Sequence, residues 1–334
     1  MSAILSLFRP RLSLRATRPA SAQCYLALFT SIRYFATDLK MANVKYDVKK
    51  LFDVQDWVCV VSGGGRGIGL MITQAFANNG ARVYILGRRE DALKKAAETH
   101  GASLLHPGGK IVPVTCDITS KASIEQAVGR IGSAEDHIDV LVNNSGISKG
   151  SSMVEKGDES AEELKEELWK ERFEDWEDVY RTNVIGHFFT TVACIPLLAN
   201  AKKWKPNHTA SVINISSMSG ITRTSQHHFK YNVSKSASIH LSNLLAQELR
   251  RKAVLVRVNN IAPGIFPSEM TTSESDDANK SAIEDPEFGE KKGIAAGRPG
   301  RDEDMAQAAL LLACNEYAYG QTLAIEGGYL LEHP

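Results

Sequence analysis

Residues 58–69 read Val-Cys-Val-Val-Ser-Gly-Gly-Gly-Arg-Gly-Ile-Gly, a short apolar run that passes directly into five glycines. The run at 58–62 predicts a buried strand, and the pattern at 67–79 predicts a helix. Glycines at such a junction let the backbone approach a pyrophosphate closely, and the following helix offers free N–H groups and a positive dipole end. A glycine-rich stretch alone could be only a tight turn, but this position favours nucleotide binding. The candidate binding residues of the turn are Ser62, Gly63, Gly65, Arg66, Gly67, Ile68 and Gly69.

Short apolar runs rich in β-branched residues alternate with longer helical patterns along the rest of the chain. The predicted strands are 58–62, 82–86, 111–116, 140–143, 211–216, 255–259 and 323–325. The predicted helices are 67–79, 89–99, 121–132, 176–200, 234–251 and 302–314. This alternation predicts an α/β fold, a single Rossmann-type, doubly wound parallel sheet of seven strands with helices on both faces. No internal repeat or composition break divides it, so one domain over residues 50–334 is expected.

The first 37 residues differ from the rest of the chain in charge. They contain five of the 39 basic residues and no Asp or Glu, which leaves 34 basic against 39 acidic residues and a net charge of about −5. A weakly acidic body gives no support for nucleic-acid binding. An Arg-rich, Ser/Ala-rich and acid-free start is typical of a mitochondrial transit peptide, here residues 1–37.

Two alternatives to mitochondrial import remain open. A secretory signal would use the mostly apolar residues 24–32, although that stretch is short and diluted by Thr30 and Ser31. Initiation at Met41, directly before the globular part, would give a cytoplasmic form. No other stretch is long and apolar enough to span a bilayer, so no membrane span is expected.

The five cysteines are widely scattered, with no C-x-x-C pair. This favours free thiols in a reducing compartment and argues against a zinc site or a disulfide framework. His227 and His228 lie in a polar loop without a nearby carboxylate or cysteine, which favours solvated or substrate-facing side chains. No metal is expected.

The second predicted strand ends in Gly87-Arg88-Arg89, with Arg88 nineteen positions beyond Gly69. Enzymes that select NAD usually place Asp or Glu there to accept from the ribose hydroxyls, whereas Arg accommodates a 2′-phosphate. The sequence therefore favours NADP(H), with Arg66 as a second cation. In the alternative interpretation, the two arginines at 88 and 89 only solvate a helix start.

Tyr231 and Lys235 are four residues apart, so in a helix they project from the same face about one turn apart. A free tyrosine titrates near pH 10, and a neighbouring cation would favour phenolate and bring the pKa toward the working range of a general acid. The same spacing also occurs by chance in many helices.

Together these motifs resemble the short-chain dehydrogenase/reductase family over residues 50–330. The resemblance rests on the glycine turn, Asn143-Asn144-Ser145-Gly146, Asn183, Ser217 and Tyr231-x-x-x-Lys235, and continues through 259–264 and 326–328. The finer resemblance is to the 3-oxoacyl-(acyl-carrier-protein) reductase branch, including relatives in rhamnolipid synthesis.

The resemblance implies a role for each matching residue. Tyr231 would protonate the carbonyl oxygen, Ser217 would hydrogen-bond it, Lys235 would lower the tyrosine pKa and bind the nicotinamide ribose, and Asn183 would hold a proton-relay water. Residues implied to contact the cofactor outside the glycine turn are Arg88, Arg89, Asp117, Asn144, Gly146, Tyr231, Lys235, Pro263, Gly264 and Ile265.

The sequence also departs from the family pattern. Ser62 and Ser145 stand where Thr and Ala are commoner, and both are small enough to be tolerated. Ser217 precedes Tyr231 by 14 positions, one more than usual, so Ser216 or Ser219 could compete for the serine role.

Two further segments are expected to shape substrate choice. The polar residues 265–297, called the lid segment below, fit a mobile lid over the substrate. Residues 151–178 carry 12 acidic and four basic residues, and 161–173 predict an exposed charged helix. A solvated surface insertion is the favoured interpretation, although at the cleft it would repel acidic carrier proteins and coenzyme A phosphates.

The sequence therefore predicts an NADPH-dependent carbonyl reductase acting on a ketone or 3-oxoacyl group, free or as an acyl thioester. A reductase or dehydrogenase of a secondary-metabolite or steroid-like alcohol or ketone is the alternative, and a non-catalytic nucleotide-binding scaffold is disfavoured because the catalytic set is complete. A homodimer or homotetramer is expected, since helix 234–251 has more apolar positions than one core-facing stripe requires. These positions are Ile239, Leu241, Leu244, Leu245 and Leu249.

The charge pattern of the first residues yields a direct test. Fused to a fluorescent reporter, residues 1–40 should direct the reporter to mitochondria, because their arginines and lack of acids suit an import signal. Fluorescence microscopy measures the outcome. A reporter that stays in the cytosol would point instead to initiation at Met41.

Overall fold

The computed structural model of the protein describes residues 43–154, 157–205 and 207–334. The strands are β1 (Val58–Ser62), β2 (Arg82–Gly87), β3 (Lys110–Thr115), β4 (Val140–Asn143), β5 (Ser211–Ile215), β6 (Arg257–Pro263) and β7 (Thr322–Ile325). The helices are α1 (Val48–Leu51), α2 (Gly67–Asn78), α3 (Glu90–Gly101), α4 (Lys121–Gly132), α5 (Ala161–Leu168), α6 (Phe173–Tyr180), α7 (His187–Trp204), α8 (Phe229–Leu249), α9 (Glu269–Thr272), α10 (Phe288–Lys291), α11 (Asp302–Cys314) and α12 (Tyr329–Glu332).

The chain divides into two units at Leu51. The first contains the short helix α1, which buries none of its residues. The second is a compact domain from Phe52 to Pro334. The expected transit peptide, residues 1–37, and Met41 lie outside the described residues.

All seven strands form one parallel sheet in the order β3-β2-β1-β4-β5-β6-β7. The predicted doubly wound parallel sheet is therefore confirmed. The strand order reverses at β1, because β2 lies on one side of it and β4 on the other. Such a reversal opens a crevice at the carboxyl ends of the strands, which is where ligands bind in sheets of this kind.

Alternate residues of β1 face two separate apolar cores. Val58 and Val60 pack with residues of α4, α7 and α8, whereas Cys59 and Val61 pack with residues of α2, α3 and α11. Because both faces are covered, β1 is buried along its whole length. This is why its sequence is continuously apolar and does not alternate.

The strand β6 differs from its prediction, since it begins two residues later and runs four residues further than 255–259. Leu255 has a positive φ of 53° and belongs to the preceding turn. The continuation of the strand is not predicted from the apolar pattern, because Asn259 and Asn260 are polar. Both are fully buried, and their amide groups donate to the Ala318 carbonyl at 2.9 Å and to Ser216 Oγ at 2.8 Å, respectively.

The predicted helix 176–200 is three successive helical segments. Between α6 and α7 the residues Arg181–Gly186 form a π-helical turn. Such turns widen the helix by one residue and occur often at functional sites. The combined stretch Phe173–Trp204 is long and apolar enough to cross a membrane by composition alone, a test that core helices also pass. Here Cys194 and Leu198 of α7 are buried in the core against the sheet.

The helix α8 begins at Phe229, five residues before its predicted start. The extra turn, Phe-Lys-Tyr-Asn-Val at 229–233, mixes apolar and polar residues and does not extend the apolar pattern of the helix. Asn232 Nδ2 donates to the carbonyls of Thr224 and Ser225 at 3.1 and 2.9 Å, whereas its buried Oδ1 has no hydrogen-bond partner within the described residues. Tyr231 therefore lies in the first turn of the helix, and Lys235 lies one turn further along it.

The acidic residues 151–178 are only partly the solvated insertion favoured by their charge. The exposed helix α5 ends at Leu168, earlier than predicted, and none of its residues is buried. Glu171, however, accepts hydrogen bonds from Lys230 Nζ at 2.6 Å and Ser152 Oγ at 2.5 Å. The Lys230 side chain is only 4% exposed. This ion pair anchors the segment to the first turn of α8.

A cluster of titratable groups lies at the amino ends of the strands, away from the crevice. The fully buried Asp139 accepts from the backbone N of Val58 at 2.7 Å and pairs with His208 Nε2 at 2.8 Å. The other ring nitrogen of His208 lies 3.1 Å from Glu316 Oε1. Burial lowers the pKa of His208, but the hydrogen bonds to the two carboxylates outweigh it, so the pKa is raised above its ordinary value.

This raised pKa predicts a dependence of stability on pH. Between the unfolded-state pKa of histidine, about 6.5, and the higher pKa of His208 in the fold, the folded state binds more protons than the unfolded state. The contribution of His208 is complete below the unfolded pKa, and the free energy of unfolding should fall as pH rises through the folded pKa. Urea titrations at several pH values measure it. The variant His208→Gln should lack this slope, and parallel profiles for the two proteins would contradict the assignment.

Candidate active site

A cleft of about 780 Å³ lies at the carboxyl edge of the sheet, across the point where the strand order reverses. Most of the residues predicted to bind a cofactor line it. They are Gly63, Gly65, Arg66, Gly67, Ile68, Arg88, Arg89, Asp117, Asn144, Gly146, Tyr231 and Lys235.

The glycine turn brings the amino end of α2 to the cleft. Gly67 has a φ of +48°, which side chains rarely adopt, and a Cβ at Gly69 would lie 2.2 Å from the Gly63 carbonyl oxygen. These positions therefore require glycine. Arg66, the residue that precedes the helix, makes no capping hydrogen bond with its side chain. The first N–H groups of α2 thus remain available to an anion.

Three arginines surround the end of β2 and the glycine turn. Arg66 and Arg89 both form ion pairs with Glu269 of α9. The Nε of Arg66 is buried and has no hydrogen-bond partner within the described part of the chain. Partial burial and the charge of Arg89 lower the pKa of Arg66. Arg88 is exposed, and within the described residues it forms no ion pair.

Asp117 lies on the cleft wall just after β3. Its Oδ1 accepts hydrogen bonds from the backbone N and the hydroxyl of Thr119 at 2.9 and 2.8 Å. Partial burial raises the pKa of Asp117, but these two bonds outweigh it, so the carboxylate titrates below its ordinary range. One of its oxygens is therefore committed to the loop, and the other is available to a ligand.

Tyr231 and Lys235 project from α8 at the other end of the cleft. Lys235 Nζ is 5.5 Å from the centre of the Tyr231 ring and donates to the carbonyl of Ile215 at 3.0 Å. Burial lowers the pKa of Lys235 to about 8. Burial raises the pKa of Tyr231, and a hydrogen bond with Ser217 opposes that rise. The Lys235 ammonium thus lies over the face of the Tyr231 ring while it donates to the end of β5.

The structure separates the three competing serines after β5. Ser217 forms the hydrogen bond with Tyr231 and accepts from the backbone N of Ser219 at 3.1 Å. Ser216 points into the sheet, where its hydroxyl accepts from Asn260 Nδ2 and donates to the Ile261 carbonyl at 3.2 Å. Ser216 also lines the cleft, but its hydroxyl is committed to these two bonds, whereas the Ser217 side chain bonds with the phenol.

Asn183 lies in the π-helical turn and is fully buried. Its Oδ1 accepts from the backbone N of Ile147 at 2.9 Å, and its Nδ2 donates to the Ile147 carbonyl and to Ser234 Oγ, both at 3.0 Å. A Cβ at Gly146 would lie 3.4 Å from both Asn183 Oδ1 and Lys235 Nζ. The glycine therefore lets the amide and the amine approach the same point of the backbone.

The sequence pattern that defines the family described as short chain dehydrogenase matches residues 57–279. This span contains the glycine turn, Asn183, Ser217, Tyr231 and Lys235. The chain belongs to the short-chain dehydrogenase/reductase family. It is an oxidoreductase of the kind that acts on CH–OH or C=O groups.

Individual relatives agree along most of their length. The short-chain dehydrogenase/reductase PhomF of Diaporthe leptostromiformis is 33% identical over 287 residues, which are 85% of this chain and 94% of PhomF. The rhamnolipids biosynthesis 3-oxoacyl-(acyl-carrier-protein) reductase of Pseudomonas aeruginosa is 34% identical over 282 residues, 84% of this chain and 98% of the reductase. Among solved structures, the Pseudomonas aeruginosa RhlG/NADP active-site complex is similar with a TM-score of 0.69 at 32% identity, covering 84% of this chain and 98% of that one.

Ser62 and Gly69, two predicted cofactor contacts of this short-chain dehydrogenase, lie behind the cleft wall. The buried Ser62 Oγ accepts hydrogen bonds from the backbone N of Asn144 and Ser145 at 3.0 and 3.1 Å. Asn144 Nδ2 in turn donates a hydrogen bond to the Ser62 carbonyl at 3.0 Å. Ser62 therefore joins the ends of β1 and β4 beneath the site, and a threonine hydroxyl at this position could make the same contacts.

The predicted contacts Pro263, Gly264 and Ile265 follow one another at the end of β6. A Cβ at Gly264 would lie 2.6 Å from Glu326 Cα, so glycine is needed where this strand passes β7. Ile265 lines a separate cavity of about 270 Å³, together with Arg298 and Asp304. In this structure these three residues border the site without lining the main cleft.

Sequence reasoning missed His187, the first residue of α7. Its Nε2 lies 2.7 Å from the Ser145 carbonyl, and its Nδ1 is buried with no partner within the described residues. Burial, with a contribution from the charge of Lys235, lowers the pKa of His187 to about 3. The ring is therefore neutral, and its proton lies on Nε2, where it is donated to Ser145. The available signal was its spacing of four residues from Asn183 in the predicted helix.

No group of three or more His, Cys, Asp or Glu side chains in residues 43–154, 157–205 and 207–334 could hold a metal ion. The cysteines in those ranges are free, and Cys59, Cys116 and Cys194 are buried.

Proposed function

We propose that this protein is an NADPH-dependent reductase that transfers hydride to a ketone or 3-oxoacyl group. The observation that carries the proposal is that Tyr231, with its hydrogen bond to Ser217, and Lys235 line one end of a cleft whose other end holds three arginines. A phenol, a hydroxyl and an amine in this order can deliver a proton to a carbonyl oxygen. A protein that only bound a nucleotide would not require a phenol, a hydroxyl and an amine in this arrangement.

The residues of the cleft fit NADP(H). Arg66 lines the cleft and its buried Nε is a donor without a partner within the described residues, and the uncapped start of α2 supplies further donors. Arg66 and the exposed Arg88 would hold the 2′-phosphate, because guanidinium groups bind phosphate through charge-assisted bonds. Asp117 and Asn144 would border the adenosine side, and Lys235, which lies beside Gly146, would hold the nicotinamide ribose.

When bound, the nicotinamide supplies the hydride. Tyr231 donates the proton to the carbonyl oxygen, and Ser217 stabilises the charge that develops there. The burial that raises the pKa of Tyr231 keeps the phenol protonated before the reaction. Lys235, whose pKa is about 8, can return a proton from its ammonium at neutral pH. Asn183 holds the backbone of Ile147 beside this group.

The substrate class is supported by relatives, one of which is named as a 3-oxoacyl-(acyl-carrier-protein) reductase. A ketone of secondary metabolism or a steroid-like ketone is the alternative, because catalytic sets of this type serve many carbonyl substrates. Rates of NADPH oxidation by the purified protein with acetoacetyl thioesters, diketones and steroid ketones discriminate these classes. Activity confined to thioesters would support the first class.

We also propose that the protein forms a homodimer or homotetramer through α7 and α8. Phe188 and Val192 of α7 and Val233 and Leu244 of α8 are large apolar side chains with 38–53% of their surface exposed. Two neighbouring helices with such side chains offer an apolar face to a second copy.

The apolar face predicts the mass in solution. At micromolar concentration, light scattering should give at least twice the chain mass of 36.5 kDa. Replacing Leu244 with Lys at the most exposed of these positions should shift the mass toward the monomer, because a charge in an apolar interface is costly. A monomeric wild-type protein would contradict the proposal.

Replacing Tyr231 with Phe should reduce kcat at least about 100-fold, as expected for loss of a general acid. NADPH binding should stay nearly unchanged, because only the hydroxyl is removed. Turnover assays and cofactor titrations measure the two effects. A variant that keeps more than roughly a tenth of kcat would rule out Tyr231 as the acid.

The neighbouring serines provide a matched control for this mechanism. Ser217→Ala removes the hydroxyl that bonds with the phenol and should lower kcat. Ser219→Ala should leave kcat nearly unchanged, because the hydrogen bond that Ser217 Oγ accepts comes from the backbone N–H of residue 219, which this variant keeps. Equal losses in the two variants would contradict the assignment of Ser217.

The arginine at the end of β2 predicts the cofactor preference. Hydrogen bonds to charged groups contribute about 1.5–3 kcal/mol, which corresponds to a preference for NADPH of roughly tenfold to a hundredfold. Arg88→Asp should lower kcat/KM with NADPH by a similar factor, mainly through KM, and should improve the use of NADH. Steady-state kinetics with both cofactors measure it. Equal wild-type efficiency with NADPH and NADH would contradict the role of Arg88.

A further inference from the structure

The lid segment, residues 265–297, contributes Ser268, Glu269 and Met270 to the wall of the main cleft. Its first part, from Ser268 to Lys280, contacts the glycine turn and α3, on the nucleotide side of the cleft. Asn279 Nδ2 donates to the carbonyls of Gly65 and Ala92 at 3.2 and 3.1 Å, and the ring of His100 lies 2.7 Å from the Ala278 carbonyl. The buried Asn279 fixes the segment there.

This docking places an acid among the arginines. Glu269 Oε2 lies 3.0 Å from Arg89 Nη2, and Glu269 Oε1 pairs with Arg66 Nη1. Ser275 Oγ donates to the same Oε1 at 3.1 Å and accepts from Arg66 Nη1 at 3.2 Å. Glu269, Arg66 and Arg89 all line the main cleft.

The carboxylate and a 2′-phosphate require the same guanidinium groups. A phosphate monoester carries a charge between about −1.5 and −2 near pH 7, so it is repelled by a carboxylate beside the same cations. A ribose with a free 2′-hydroxyl carries no such charge, and a carboxylate at the end of β2 is the usual acceptor for it. Here β2 ends in arginines, and the carboxylate is supplied by α9.

We propose that Glu269 is a specificity-determining residue that sets the ratio of NADP(H) to NAD(H) affinity. Its carboxylate competes with the 2′-phosphate for Arg66 and Arg89 and leaves the affinity for NAD(H) unchanged or higher. The inference rests on the proposed use of a nicotinamide cofactor. It adds that Glu269 makes the preference for NADP(H) smaller than the arginines alone would give.

Binding measurements on the full chain test the inference without catalysis. Dissociation constants for NADPH and NADH are measured by fluorescence titration for the wild type, Glu269→Gln and Glu284→Gln. Glu284 is an exposed acid of the same lid segment and lines neither described cavity, so its variant controls for the change in net charge.

Glu269→Gln should bind NADPH about fivefold more tightly, the size expected for a partly exposed ion pair. Its affinity for NADH should stay equal or fall, and Glu284→Gln should match the wild type. The gain should shrink in 0.5 M salt, because screening weakens charge competition.

The possible outcomes distinguish failure of the Glu269 inference from failure of the proposed function. If Glu269→Gln and Glu284→Gln bind NADPH equally, or if Glu269→Gln tightens NADPH and NADH by the same factor, the inference is overturned while the reductase assignment stands. A wild-type protein that binds neither cofactor would overturn the proposed function itself. Thermal unfolding of each variant verifies that the fold is kept.

Discussion

The contact between the turn after β5 and the helix α8 fixes the catalytic geometry. A Cβ at Gly220 would lie 2.6 Å from the backbone carbonyl carbon of Lys235, so only glycine permits this approach. The same approach lets Lys235 Nζ reach the Ile215 carbonyl at the end of β5. Ser217 and Tyr231 come from these two elements, and their hydrogen bond therefore depends on a backbone distance more than on side-chain freedom. A larger residue at Gly220 would therefore move Ser217 away from both Tyr231 and Lys235.

Buried amides extend this constraint into the sheet. Asn143 Nδ2 donates to Thr191 Oγ1 and to Asn214 Oδ1, both at 2.8 Å, and Asn214 Nδ2 donates to Ser242 Oγ at 2.9 Å. The chain of bonds links α7, β4, β5 and α8 beneath the cleft. Polar groups this deep are costly when unpaired, so the network favours one arrangement of the helices over slightly shifted ones.

The sequence predicted the elements whose signals are local. The glycine turn, the alternation of strands and helices, and the spacing of Tyr231 and Lys235 each lie within a short window, and the parallel sheet and the family were confirmed. The contacts of Glu269 were not predictable, since its partner Arg66 lies 203 positions earlier and no local pattern links them. The length of β6 and the start of α8 were also missed, because Asn259 and Lys230 there bond to partners 59 positions away in the chain.

The π-helical turn at Arg181–Gly186 has a consequence for how related chains can vary. Each residue of an α-helix advances the chain by 1.5 Å and rotates it by 100°. Deleting one residue here would restore regular α-helical winding and turn α6 by that angle relative to α7. Trp176 and Glu171, whose side chains are joined by a 3.1 Å hydrogen bond, both precede this turn and would rotate together away from α8. The acidic segment would then lose its ion pair with Lys230. Relatives without the extra residue of the π-helical turn would need a different contact to attach the acidic segment. The extra residue and the attachment to Lys230 should therefore occur in the same relatives.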